Sequence, residues 1–227
     1  MPQHKVLVFD TSVPALAKIA GAKLPNSYLK KLKKFRYGMG VFKVDWALSG
    51  PIPFKSPIAR KAGTIHLGSG MKEICHSELQ AANGRISLSP FVLLGQQSLF
   101  DSTRAPKEMH TAWGYCHVPN GSNVDRTELI ENQIERFAPG FKEPILARHS
   151  INSAQMEAYN HNYLGGDVNG GSMDIAQLFM KPTFQLKPYR TPAKGIYLCS
   201  SSTPPGGRVH GMCGYNAAKQ NCQRFFS

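Results

Sequence analysis

Between Gly195 and Lys219 the chain gathers residue types that can hold an anion or a polarised ring with backbone alone. Gly195 to Ser200 is a brief apolar run bounded by glycine and serines, which predicts a short buried strand. Thr203-Pro204-Pro205-Gly206-Gly207 can be neither helix nor strand, because two prolines precede two glycines. After His210, the residues Gly211, Met212, Tyr215, Ala217 and Ala218 suit a helix packed against something flat. A strand, a glycine turn and a helix start point free N–H groups at a ligand. The candidate donors are the backbones of Gly206, Gly207, Val209, His210 and Gly211, beside Ser201, Ser202 and Thr203. Adjacent glycines remove the Cβ atoms that would hold a ligand off the backbone. A plain strand-to-helix connection explains the same pattern.

Other candidate chemistry is weaker. Gly165 to Gly171 carries Asp167 and Asn169 and resembles a calcium loop in composition. The spacing fails, since an oxygen ligand is needed where Gly171 stands and the terminal Glu is missing; a tight turn accounts for it. Eight histidines and five cysteines show no CxxC, HxxxH or HExxH spacing, so no metal is expected. Cys116 and His117 are neighbours on a predicted strand and point to opposite faces. His117 reads first as a hydrogen-bonded strand residue and second as one facing a substrate. Trp46 and Trp113 read as core.

These residues need elements to position them. Lys5 to Asp10 predicts a buried strand running into a helix capped by Ser12, with Pro14 in its first turn and Gly21 beyond its last. Phe42, Val44, Trp46 and Leu48 alternate with Lys43, Asp45 and Ala47, a strand with one buried face. Ser49 to Pro57 holds three prolines and is a loop. Strands follow at Thr64 to Leu67, Phe91 to Leu94, Thr111 to Val118 and Ile145 to His149. Helices fall after Met71, after an Asp125–Glu128 capping box, and at Ser153 to Tyr159, capped by Asn152 or Ser153. Ile151 to Pro188 is otherwise loop-rich. The expectation is an α+β protein: a mixed sheet with helices on one face at its centre, and the two terminal strands in a separate small layer.

Composition limits the partners. Lys and Arg number 27 against 14 acidic residues, a net charge of +13, enough to attract nucleic acid or an anionic membrane. The densest cluster, Lys30, Lys31, Lys33, Lys34 and Arg36, lies on an amphipathic helix with Tyr28, Leu29, Leu32 and Phe35 on its apolar side, so a solvated face is the simpler account. No nucleic-acid motif supports that partner. An odd cysteine count without framework spacing points to a reducing, cytoplasmic compartment, and Asn120-Gly121-Ser122 is then an ordinary turn. No run approaches the roughly 18 apolar residues of a membrane span. The start, Met1-Pro2-Gln3-His4-Lys5, does not read as a secretory signal.

Tyr197-Leu198-Cys199-Ser200 followed by Thr203-Pro-Pro-Gly-Gly-Arg-Val-His-Gly-Met212 resembles the C-terminal flavin motif of phytoene dehydrogenase-like oxidoreductases. The resemblance continues through Phe42 to Ala47, His110 to Ser122, Ile134 to Phe141 and Gly165 to Gly171, in the same order. It implies an FAD enzyme that removes hydride from, or isomerises, an apolar or lipid-like substrate, with no protein acid or base required. In that family the turn and helix start face the flavin, whose reduced form is negative near N1 and O2. Ser201, Ser202 and Thr203 would bond its ribityl or phosphate part, and the Gly165–Gly171 loop, with Asp167 and Asn169, would lie near flavin and substrate. Arg208 stands where relatives carry a third glycine. Residues 1–37 and 191–227 would be parts of a Rossmann-like FAD-binding domain, and residues 38–190 the substrate-binding domain. The phosphate-binding Gly-x-Gly-x-x-Gly unit has no match here, since Gly38-Met-Gly40 and Gly68-Ser-Gly70 lack the third glycine. The resemblance therefore covers a C-terminal portion, with the N-terminal half expected as a partner in cis or in trans. A peripheral membrane contact suits lipid-like substrates, and a mitochondrial matrix location suits a eukaryotic source. The rival expectation is a non-catalytic relative that binds a lipid-like ligand.

Overall fold

The computed structural model describes residues 5–207 and 209–225; Arg208 lies outside the described residues. The elements in chain order are β1 (Leu7–Phe9), α1 (Val13–Ala20), α2 (Asn26–Leu32), β2 (Gly40–Leu48), β3 (Thr64–Leu67), α3 (Met71–Ala82), β4 (Val92–Gly95), β5 (His110–Val118), α4 (Thr127–Phe137), β6 (Ile145–Ile151), α5 (Ser153–Tyr159), α6 (Ile175–Phe179), β7 (Ile196–Leu198) and α7 (Met212–Phe225). They fall into two compact units, residues 39–158 and the combination of 1–38 with 159–227. Among the described residues no helix is long and apolar enough to cross a membrane.

The central unit is built on β2. Its alternating pattern buries Phe42, Val44, Trp46 and Leu48 in one cluster with Val92 and Leu94 of β4, Ala112, Cys116 and Val118 of β5, and Ile130 and Ile134 of α4. Burying one such side chain contributes roughly 1.5–3 kcal/mol. The sheet order is β3-β4-β5-β2-β6. Pairing β2 with β5 sets Gly40 opposite Val118 and Leu48 opposite His110. The β2–β6 pair carries a register shift between Ala47 and Leu48. Phe141 meets Trp46 edge-on, ring centroids 5.4 Å apart. The Trp46 indole N–H donates to buried Glu131 at 3.0 Å, and Arg148 Nε donates to the same oxygen at 2.8 Å.

The terminal unit joins the chain's ends. β1 and β7 pair in parallel, Leu7 with Ile196 through Phe9 with Leu198, in a two-stranded sheet of their own. The small layer expected from the two apolar runs is thus present. Val13, Leu16 and Ala20 of α1 and Tyr28 and Leu32 of α2 pack on Ile196 and Leu198. Ser12 caps α1 by accepting from Ala15 N, with proline in the first turn.

The α+β class holds, and three expectations change. The sheet is antiparallel at every pairing instead of mixed. Interleaved helices leave strand direction open, and the hydrogen-bond register decides it. The second boundary falls at 158/159 instead of 190, because residues 159–190 make their backbone and side-chain bonds with the chain ends; Asn162 Oδ1 accepts from Ser12 N at 2.8 Å. No capping box opens α4: Arg126 is its N-cap without a side-chain bond, and Asp125 takes Thr127 N at 2.8 Å in a local turn. The box forms instead at α5, where Asn152 and Gln155 exchange side-chain-to-backbone bonds, both at 2.9 Å.

Candidate functional site

β7 delivers Cys199 to Thr203 into a turn that closes on itself. Thr203 N and Oγ1 both donate to Ser200 O, at 2.9 and 2.7 Å. Thr203 is completely buried, so its hydroxyl holds the turn and does not address a ligand. That corrects its assignment to the ribityl or phosphate part. At the far end His210 Nδ1 accepts from Met212 N at 3.0 Å, which caps the start of α7.

Two cavities flank the turn, both within the terminal unit. One, of about 380 Å³, is walled by Asp10 to Ser12, Asn160, Asn162, Tyr163, Val168, Gly170, Ser200 to Ser202, Gly207 and Val209. The other, of about 300 Å³, is walled by Asp10, Cys199, Ser201, Gly206, His210, Gly211, Cys213 and Gly214. Asp10 and Ser201 belong to both. Ser201, Ser202, Gly206, Gly207, Val209, His210 and Gly211 are therefore brought together, and Thr203 stands behind them.

The Gly165–Gly171 loop is organised by Asp167, which is 1% exposed. Its carboxylate accepts from Gly38 N and Asn169 N, each at 2.7 Å, and from Gly171 N at 2.9 Å. A carboxylate so occupied shapes the loop and does not face a substrate, which corrects the expectation for Asp167. Asn169 contributes backbone: its carbonyl oxygen lies 2.8 Å from where a Cβ on Gly207 would stand. Gly170, at φ +71°, packs its Cα against Ser201, with no room for a side chain. The loop and the turn approach each other only because both positions are glycine.

His117 lies in the central unit, and its Nδ1 meets Glu78 Oε2 at 2.7 Å. It is a hydrogen-bonded strand residue, as its first reading has it. Burial pushes the neighbouring Cys116 thiol up to about 12, which keeps it protonated near neutrality. Burial and the nearby Asp10 likewise push the Cys199 thiol up to about 11.

Sequence reading missed Asp10, Thr11, Asn160, Asn162 and Lys181. Asp10-Thr11-Ser12 was legible only as a helix cap. Asn160-His161-Asn162, a polar run without periodicity, was the available signal for the opposite wall. Lys181 is 1% exposed and carried no signal at all.

The wall fits the ring and sugar end of a flavin. It offers hydroxyls, two Asn side chains, a close backbone approach at Gly170 and Gly207, and a buried Thr11 Oγ1 without a hydrogen-bond partner. Its volumes sit at the low end of the roughly 300–1,000 Å³ of small-molecule sites. Among the described lining residues no Lys or Arg is present to balance a diphosphate.

Two proteins, one from Rattus norvegicus and one from Mus musculus, each described as pyridine nucleotide-disulfide oxidoreductase domain-containing protein 2, are 30% identical to this chain over 216 residues. The match takes in 86% of the chain but 37% of each relative, so the chain spans well under half their length. One of the subunits of a limonene dehydrogenase from Castellaniella defragrans is 32% identical over 112 residues, 49% of the chain and 20% of that protein. A crystal structure of an oxidoreductase from Methanosarcina mazei superposes with a TM-score of 0.57 at 12% identity, over 98% of this chain and 43% of that one, and shows the shared fold. No family model matches the chain. The chain is thus similar in sequence to parts of these proteins, and the Methanosarcina mazei structure shows the fold alone.

Proposed function

We propose that the chain is the substrate domain and C-terminal flavin segment of an FAD-dependent oxidoreductase of phytoene dehydrogenase-like type, acting on an apolar substrate. The carrying observation is the glycine turn between β7 and α7, which borders two cavities that share Asp10 and Ser201 as wall. A flavin bound there would supply the hydride acceptor, chemistry no side chain offers. The positive end of the fourteen-residue α7, whose first N–H is already taken by His210 Nδ1, suits the edge of the ring that gains negative charge. Ser201, Ser202, Thr11 and Asn162 suit its carbonyls and hydroxyl chain. Gly170 and Gly207 let loop and turn close without intervening side chains. Cys199, held as a thiol, adds no competing nucleophile.

The diphosphate would be bound by a dinucleotide-binding half supplied in cis or in trans. The name of one relative makes it part of a multi-chain limonene dehydrogenase, which gives precedent for a separate chain and for an apolar terpene substrate. Exposed Lys30, Lys31, Lys33 and Lys34 suit a peripheral contact with an anionic membrane that stores such substrates.

The test is flavin loading. The purified chain should be colourless and bind FAD weakly, and it should turn yellow when joined to, or mixed with, a polypeptide carrying the Gly-x-Gly-x-x-Gly unit of a relative. Tight one-to-one binding by the chain alone would place the diphosphate site within these residues. No binding in either format would leave the non-catalytic reading.

A further inference from the structure

Lys181 is 1% exposed, yet its ammonium has no carboxylate within 4.0 Å among the described residues. Its Nζ meets Met173 Sδ at 3.8 Å, a weak acceptor. The acidic groups that act on it from further away are Asp167, Cys213 and Asp174. Asp167 is already engaged by three backbone N–H groups, and Asp174 by Arg36 at 2.7 Å. A buried cation left this poorly paired is costly, and burial lowers its pKa accordingly. Nζ lies 3.7 Å from where a Cβ on Gly206 would stand, directly behind the turn that walls the second cavity. Cys213 Sγ, in the first turn of α7, donates to Gly206 O at 3.5 Å, so helix start and amine converge on the same glycine.

We infer that Lys181 is the buried counter-charge for an anion seated over the Pro205–Gly207 turn. Resting on the flavin reading, that anion is the N1–O2 edge of the reduced ring. Only one redox form carries the charge, so the lysine favours reduced over oxidised flavin and raises the reduction potential. The glycine at 206 lets the positive charge act across bare backbone, where a side chain would add distance.

The experiment uses the full chain and riboflavin, which lacks phosphate, oxidised or reduced with dithionite under anaerobic conditions. The wild type should bind the reduced form about tenfold more tightly, the size of one favourable charge interaction. Lys181→Met should erase that preference and Lys181→Arg should keep it. Binding of both forms with the preference intact in Lys181→Met would overturn the inference and leave the flavin reading standing. Failure of the wild type to bind either form would overturn the inference, while the flavin reading stands or falls on loading of the joined polypeptide. Should Lys181→Met not fold, the ¹³Cε resonance of Lys181 in the wild type decides. It should move with reduced riboflavin and stay with oxidised, and an unmoved signal overturns the assignment.

Discussion

The carbonyl oxygen of Asn169 and the Cα of Gly207 approach so closely that a Cβ at 207 would sit 2.8 Å from that oxygen, 2.9 Å from Asn169 Cα and 3.2 Å from its carbonyl carbon. All three are backbone atoms and cannot swing aside. Gly207→Ala should therefore cost about 1–3 kcal/mol of stability, the range for an overpacked site. A urea midpoint equal to that of the wild type would mean that loop and turn are not in contact.

Asp167 is the pin of the same loop. Asparagine could still accept from Gly38 and Gly171, but its amide would face the N–H of Asn169, donor against donor. Asp167→Asn should cost about 1–3 kcal/mol and Asp167→Ala more, since three buried N–H groups then lose their acceptor. Chemical denaturation of the two variants checks the order.

In the central unit, Glu131 Oε1 serves the Trp46 indole and Arg148 together. Glu131→Ala strands a buried indole N–H and should cost about 1–3 kcal/mol. Glu131→Gln retains an acceptor for Trp46 and should lose less than half as much. Equal losses would mean that the charge, not the hydrogen bond, matters.

Acid should loosen the contact between α3 and α4. Hydrogen bonds from Arg136, Ser69 and Gln133 hold the Glu73 carboxyl at about 2, below its ordinary 4.5. A depressed carboxyl contributes stability that is complete above its unfolded value and is lost as pH falls through its folded one. Glu73→Gln should lower Tm above pH about 5 and leave it nearly unchanged near pH about 2. A Tm difference that does not vary with pH would contradict this.

The fold was legible where one face of an element is buried and the other wet. β2 announced itself by period, and the cap at Ser12 by residue type. The Asp125–Glu128 box misled because its spacing is local, while Asp125 stands one residue before the N-cap Arg126 and bonds Thr127 N. Strand direction was illegible, since alternation of Phe42, Val44, Trp46 and Leu48 is the same in either sense. At the site, the glycine turn showed because prolines and glycines exclude regular structure. The wall opposite did not, because Asn160 and Asn162 work through placement that only the fold confers. Asp167 looked like a ligand and is a backbone organiser; both uses draw on the same oxygens.

The pairing of β1 with β7 dictates an order of assembly. Leu7 and Ile196 meet only after everything between them has been made, whereas residues 39–158 are contiguous and carry their own core. Closing so long a loop is slow for a flexible chain, but a prefolded insert shortens it to the distance between the insert's two ends. The antiparallel sheet should therefore form first during synthesis, with the terminal strands zipping together last. The glycine turn and its cavities come into being at that closing step, so any ligand there meets an already folded central unit and is not the template for its folding.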